Sequence, residues 1–99
     1  MPNEYELMPK YDARKSFYGK ARVRVKGPVE LLISYGTPVL WYDAETGRFH
    51  RTWDGGSSTT GRHVKEFSLQ KRLSQPCDGA HGINKKEWNA MPVEPVPSL

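Results

Sequence analysis

Residues 20–26 run Lys-Ala-Arg-Val-Arg-Val-Lys, a strict alternation of cations with small apolar side chains. No other feature restricts the fold as much, because alternation has period 2 whereas a helix repeats every 3.6 residues. Successive side chains of a strand point to opposite faces. Ala21, Val23 and Val25 therefore line one face, and Lys20, Arg22, Arg24 and Lys26 the other. The chain must build a sheet with an apolar side to bury and, at this strand, a cationic side. Lys10, Arg14 and Lys15 lie just upstream, and residues 10 to 26 hold seven cations against the single acid Asp12, a net +6. The whole chain is +4, so the remainder sums to −2 and the basicity is local. A local stripe of one sign points to an anionic partner more directly than diffuse charge does.

A chain of 99 residues makes one small domain with a modest core. With 26% charged residues and few aliphatics, the three Trp, five Tyr and three Phe must supply much of the buried area, and their number argues against disorder. No run approaches the roughly 20 apolar residues of a membrane-spanning helix. The opening MPNEYELMPKYD lacks the apolar stretch of a signal peptide. The single cysteine, Cys77, forms no internal disulfide, which fits a reducing cytoplasmic compartment and leaves no cysteine-rich zinc site. It follows Pro76 in a polar stretch and reads as a bystander thiol.

Turn residues divide the chain. Residues 1–15, with two prolines and mixed charge, read as an extended arm. Ser16–Val25 reads as a first strand, ended by Gly27-Pro28; Val29–Tyr35 as a second, ended by Gly36-Thr37-Pro38. Val39–Tyr42 and Arg48–Trp53 read as the third and fourth, joined by a hairpin-length loop at 43–47. Ser58, Thr59 and Thr60 offer hydroxyl caps for a helix to about Arg72, with Val64 and Phe67, and Leu69 and Leu73, forming a ragged apolar side. Residues 74–82 read as a linker, and Ile83–Met91 as a short helix capped by Asn84 and anchored by Trp88, before a proline-rich tail. The expected fold is α+β: a four-stranded antiparallel meander with one main helix packed on one face and a short C-terminal helix. Residues 16–73 form the core domain, and 74–99 the linker, short helix and tail. The other sheet face is expected to be polar.

Three stretches carry a resemblance: Tyr11-Asp12-Ala13-Arg14-Lys15-Ser16-Phe17-Tyr18-Gly19-Lys20-Ala21, Leu32-Ile33-Ser34-Tyr35-Gly36-Thr37-Pro38-Val39, and Ser58-Thr59-Thr60-Gly61-Arg62-His63-Val64-Lys65-Glu66-Phe67. Together, over about residues 11–70, the chain resembles small uncharacterised proteins encoded by bacteriophages and mobile elements. The resemblance brings no activity and no functional residue. It implies a setting: a small accessory product inside an infected bacterial cell, where some such proteins counter host defence, CRISPR systems included.

The stripe is the first candidate site. Its four positions span about 20 Å at roughly 3.4 Å per residue, and phosphates recur every 3.4 Å or so along a strand of duplex. Tyr18, Trp41, Tyr42 and Trp53 would add stacking faces where exposed. The plainer reading is a solvated edge strand whose lysines block unwanted pairing. Arg62, in the first turn of the expected helix, is a second candidate for holding a phosphate or carboxylate; plain capping is its alternative. His50 and His63 raise a nuclease reading, with Lys20 or Arg22 stabilising charge, while His81 falls in the linker. The best reading is a non-enzymatic binding protein without cofactor, metal or membrane partner. Arg14, Lys15, Lys20, Arg22, Arg24, Lys26 and Arg62 would engage nucleic acid or an acidic surface of a host nucleic-acid-handling complex, as an inhibitor of defence in its most concrete form. The alternatives are an interaction module acting as a homodimer, and the small nuclease.

Overall fold

The computed structural model describes residues 3–10, 17, 19–55, 58–73 and 82–97. Five strands, β1 (Asn3–Glu6), β2 (Ala21–Lys26), β3 (Val29–Ser34), β4 (Thr37–Asp43) and β5 (Arg48–Arg51), precede two helices, α1 (Ser58–Leu73) and α2 (Lys85–Ala90). The fold is α+β, and the sheet is an antiparallel meander in the order β1-β2-β3-β4-β5. It has five strands rather than the expected four. The extra one lies in the segment read as an arm, where Asn3 to Glu6 pair with Val25 to Arg22. Four residues with two glutamates carry no strand signature of their own; the partner β2 supplies the reason for their conformation. The alternating segment is β2, although Lys20 precedes the strand.

Two tight turns set the registers. Gly27 takes φ 57° at the first turn position between β2 and β3, as a primed hairpin turn requires. Between β3 and β4, Tyr35 and Gly36 both have positive φ, 52° and 78°, the signature of a type I′ turn. Tyr35 is the only non-glycine residue with positive φ among the described residues.

From the Tyr35–Gly36 turn the ladder runs Ser34 to Thr37 and Ile33 to Pro38, then shifts so that Leu32 pairs with Leu40. Val39 is the extra residue of a β-bulge, and both Val39 and Leu40 are buried.

The register sorts the sheet into two faces. Ala21, Val23, Leu32, Leu40, Tyr42 and Phe49 share the core face, and the buried cluster joins them to Leu7 and Phe17, to Val64 and Phe67 of α1, and to Ile83 and Trp88. The buried side of α1 is more polar than its Val64–Phe67 pair implies. Thr60, His63, Glu66 and Ser68 are buried with them, whereas Leu73 is 46% exposed. Ser34, on the core face of β3, explains part of this: its Oγ lies 2.8 Å from His63 Nδ1 and 3.1 Å from Thr60 Oγ1. The Thr60 hydroxyl thus serves the sheet, and Ser58 to Thr60 belong to the helix itself rather than preceding it. Ser68 Oγ donates to Val64 O and accepts from Ile83 N, tying α1 to the segment that enters α2.

As expected, Asn84 caps α2, its Oδ1 accepting from Glu87 N at 2.8 Å. Arg72 reaches Glu87 with two hydrogen bonds, 3.2 and 2.5 Å. The chain beyond α2 returns to the sheet, where Val93 bridges in parallel to Arg51 and Glu94 N donates to Arg51 O at 2.7 Å. Arg51 itself is buried; its Nε donates to Trp53 O, its Nη1 to Trp88 O and Met91 O, and its guanidinium lies over the Trp88 ring.

Candidate functional site

The face of the sheet away from the core carries the cations of β2. Arg22, Arg24 and Lys26 stand there in register with Ile33, Leu31 and Val29 of β3, and Leu31 in turn with Trp41 and Trp41 with His50. This face is not the polar surface expected of it. The apolar run Leu31-Leu32-Ile33 necessarily sends side chains to both sides, and Leu31, between Arg24 and Trp41, is only 3% exposed. Trp41 and His50 stack with ring centroids 4.3 Å apart and remain half-buried. From β2 to β5 the face therefore grades from cations through aliphatics to an aromatic pair.

The stripe is neither continuous nor uncompensated. Glu4 of β1, opposite Arg24, accepts from Arg22 Nε at 2.7 Å and from Arg24 Nε and Nη2 at 3.1 and 3.0 Å. The hydrogen bonds from Arg22 and then Arg24 hold its carboxyl below the usual 4.5. Glu6, also on β1, accepts from Gly19 N. Lys20 leaves the line: its Nζ sits 6.0 Å from the centroid of the Tyr35 ring, at the end of the β3–β4 hairpin. Lys26 is exposed at the far end of β2. The structure thus brings Arg22 and Arg24 together, sets Lys20 and Lys26 at either end, and places Arg62 elsewhere, exposed in the first half of α1. Arg14, Lys15, Tyr18, Cys77 and His81 lie outside the described residues.

Of the expected stacking rings, Tyr42 is excluded, because it faces the core at 5% exposure against Phe49. Trp53 lies beyond β5 and packs so closely on Gly55 that a Cβ there would come within 2.3 Å of the ring. Among the described members of that set, Trp41 alone stands on the cationic face.

The two histidines of the nuclease reading are separated by the sheet. His50 lies on the outer face with Trp41, its Nδ1 2.9 Å from Glu94 Oε2. His63 is 1% exposed on the core side, bonded to Ser34 and edge-on to Phe17. They cannot act on one substrate atom as an acid–base pair. Among the described residues no group of three or more His, Cys, Asp or Glu side chains is placed to hold a metal ion. No helix among them is long and apolar enough to cross a membrane.

Sequence reasoning missed Glu4 as a member of this surface. The signal was present as the run Asn3-Glu4-Tyr5-Glu6, which puts two acids on one face of any strand that pairs with the alternating segment.

No curated protein and no solved structure matches the chain. A family model described as a family of unknown function (DUF8033) matches residues 5–90 and so takes in all of β2 to α2, and the chain belongs to that family.

Proposed function

We propose that the chain is a non-enzymatic binding protein that engages single-stranded nucleic acid through the outer face of its sheet. The observation that supports this reading is the sharing of one face by the β2 cations and the stacked Trp41–His50 pair, which combines backbone neutralisation with a ring for a base. Glu4 acts on this surface as an internal competitor, because its carboxylate takes the Arg22 Nε and the Arg24 Nε and Nη2 donors and offsets charge that a phosphate would otherwise meet. The resemblance to phage and mobile-element proteins supports a setting inside an infected bacterial cell, where occupying nucleic acid would obstruct a host defence complex that reads it.

Salt titration of oligonucleotide binding tests the proposal. Each neutralised phosphate contributes a slope of about −0.7 in log K against log salt for single strands, so Lys20 and Lys26 alone give about −1.4 and all four cations about −2.8. Glu4→Gln is expected to tighten binding and steepen the slope towards the larger value. The Lys20→Ala, Arg22→Ala, Arg24→Ala, Lys26→Ala variant is expected to flatten it to near zero. Unchanged affinity in that variant would remove the outer-face reading, whatever the partner.

A further inference from the structure

Arg62 leads to a second place in the fold. It stands on the wall of a cleft of about 340 Å3 between the first half of α1 and the residues that enter α2. Trp53, Val64, Ile83 and Trp88 line it with apolar surface. Lys65 and Lys85 join Arg62 around it, all three exposed, and no acidic side chain lines it among the described residues. Its volume falls in the range of about 300–1,000 Å3 typical of sites for small organic ligands.

Two glycines border the cleft region, and only one is explained by packing. A Cβ on Gly82 would come within 2.5 Å of the Lys65 carbonyl oxygen, so the close approach of chain to helix demands glycine there. Gly61 lies inside α1, without positive φ, and a Cβ on it would meet nothing within 4 Å. Glycine is a poor helix former, and neither backbone nor packing requires it at 61. What position 61 has is a place on the cleft wall, where a side chain would occupy the space of a ligand.

We propose that this cleft binds a small organic anion, a molecule with an aromatic or branched apolar body and a carboxylate, sulfonate or phosphate. The body occupies the indole- and aliphatic-lined floor, excluding water from Trp53 and Ile83. The anionic group meets Arg62, Lys65 and Lys85. Charge complementarity selects this occupant: three cationic residues and no described acid stand around an apolar floor, so a neutral molecule of the same shape gains nothing from the cations and a simple inorganic anion gains nothing from the floor. The site lies among the helices, apart from the outer face of the sheet, and stands independently of what that face binds.

The test uses 1-anilinonaphthalene-8-sulfonate as probe and N-phenyl-1-naphthylamine, a similar aromatic body without the sulfonate, as its neutral counterpart. The sulfonate is expected to bind about tenfold more tightly, one per chain, the factor a single charge-assisted contact supplies. The variant Arg62→Gln, Lys65→Gln, Lys85→Gln should abolish that advantage and leave the neutral probe unchanged. All three residues are exposed, and an unaltered far-UV circular dichroism spectrum verifies the fold. Gly61→Phe should block both probes. Absence of binding, equal affinity for the two probes, or undiminished sulfonate binding in either variant overturns the proposal. An oligonucleotide that leaves the probe in place shows that the two surfaces are separate.

Discussion

Replacing Arg51 with Met should loosen the C-terminal segment from the sheet. Arg51 is 8% exposed and spends its donors on three main-chain carbonyls: Trp53 at 2.7 Å, Trp88 at 2.9 Å and Met91 at 3.5 Å. Trp88 is in the last turn of α2 and Met91 is its C-cap, so the guanidinium satisfies the negative end of that helix from a different element. Its carbon also sits 4.4 Å from the Trp88 ring centroid. Each hydrogen bond from a charged donor is worth about 1.5–3 kcal/mol net, and a desolvated cation–π contact about 2. Against these stands the cost of burying a charge, which Met does not incur. The expected loss is about 3 kcal/mol, a large part of the roughly 5–15 kcal/mol that holds a domain together. Arg51→Lys keeps the charge but cannot serve carbonyls in two directions, and about 1–2 kcal/mol should be lost. Urea unfolding followed by circular dichroism measures the loss, and amide exchange locates it. The amides of Trp88, Met91 and Glu94, which donate to Asn84, Trp88 and Arg51, should lose protection before those of β2 and β3. A loss below about 0.5 kcal/mol in Arg51→Met, with those three amides still protected, would refute the idea that Arg51 fastens the segment.

Three further outcomes can be checked separately. Tyr35→Asn should raise stability by about 0.5–1 kcal/mol, because Asn tolerates the left-handed φ of 52° better than Tyr, and an unchanged melting temperature would mean that the contacts of the ring with His63 and Lys20 offset the strain. Burial pushes the Tyr5 phenol above its ordinary 10.0, with Lys71 nearby opposing the shift and Glu30 reinforcing it. A raised folded-state value stabilises fully below pH 10 and is lost as pH climbs through it, so alkaline unfolding should shift to higher pH in Tyr5→Phe and fail to shift if Tyr5 ionises freely. Glu4 runs the other way: its lowered pKa contributes stability above 4.5 that disappears as pH falls through the folded value, releasing Arg22 and Arg24. Binding of a sulfated polyanion, whose charge does not titrate there, should therefore strengthen more steeply in the parent chain than in Glu4→Gln as pH falls through that lowered value, and equal steepness would remove Glu4 as the group responsible.

Much of the fold could be read because its elements carry local signals. The alternation of residues 21–26, the positive-φ glycines at 27 and 36, and the Asn84 cap each act within a few residues, and each appears where the spacing puts it. What could not be read depends on pairing. Asn3–Glu6 becomes a strand because β2 offers an edge, and the polar side of α1 is buried because Ser34 waits opposite Thr60 and His63. The candidate surface shows the same division. Arg22, Arg24 and Lys26 could be placed on one face by parity, but their partner Glu4 lies 18 residues from Arg22 in the chain, and the excursion of Lys20 to Tyr35 follows from a turn rather than a strand. The separation of His50 and His63 also needed the register, since only the pairing of Trp41 with His50 and the bond of His63 to Ser34 reveal which side each occupies.

The bulge at Val39 settles a conflict of phase. A two-residue turn at Tyr35–Gly36, continued without interruption, would set Leu31 against Leu40 and Glu30 against Trp41, turning Leu40 and Tyr42 to the outside and Trp41 inward. One surplus residue lets the turn keep its geometry and the strand keep its buried side chains. The same strand thus holds two readings that differ by a single step, and the face on which Trp41 appears is decided by the surplus valine. Deleting Val39 would leave both the turn and the inward set in phase, at the cost of one buried side chain. Shifting the bulge past Trp41 with the sequence unchanged would instead turn Leu40 outward and Trp41 inward, and strip the cationic face of its indole.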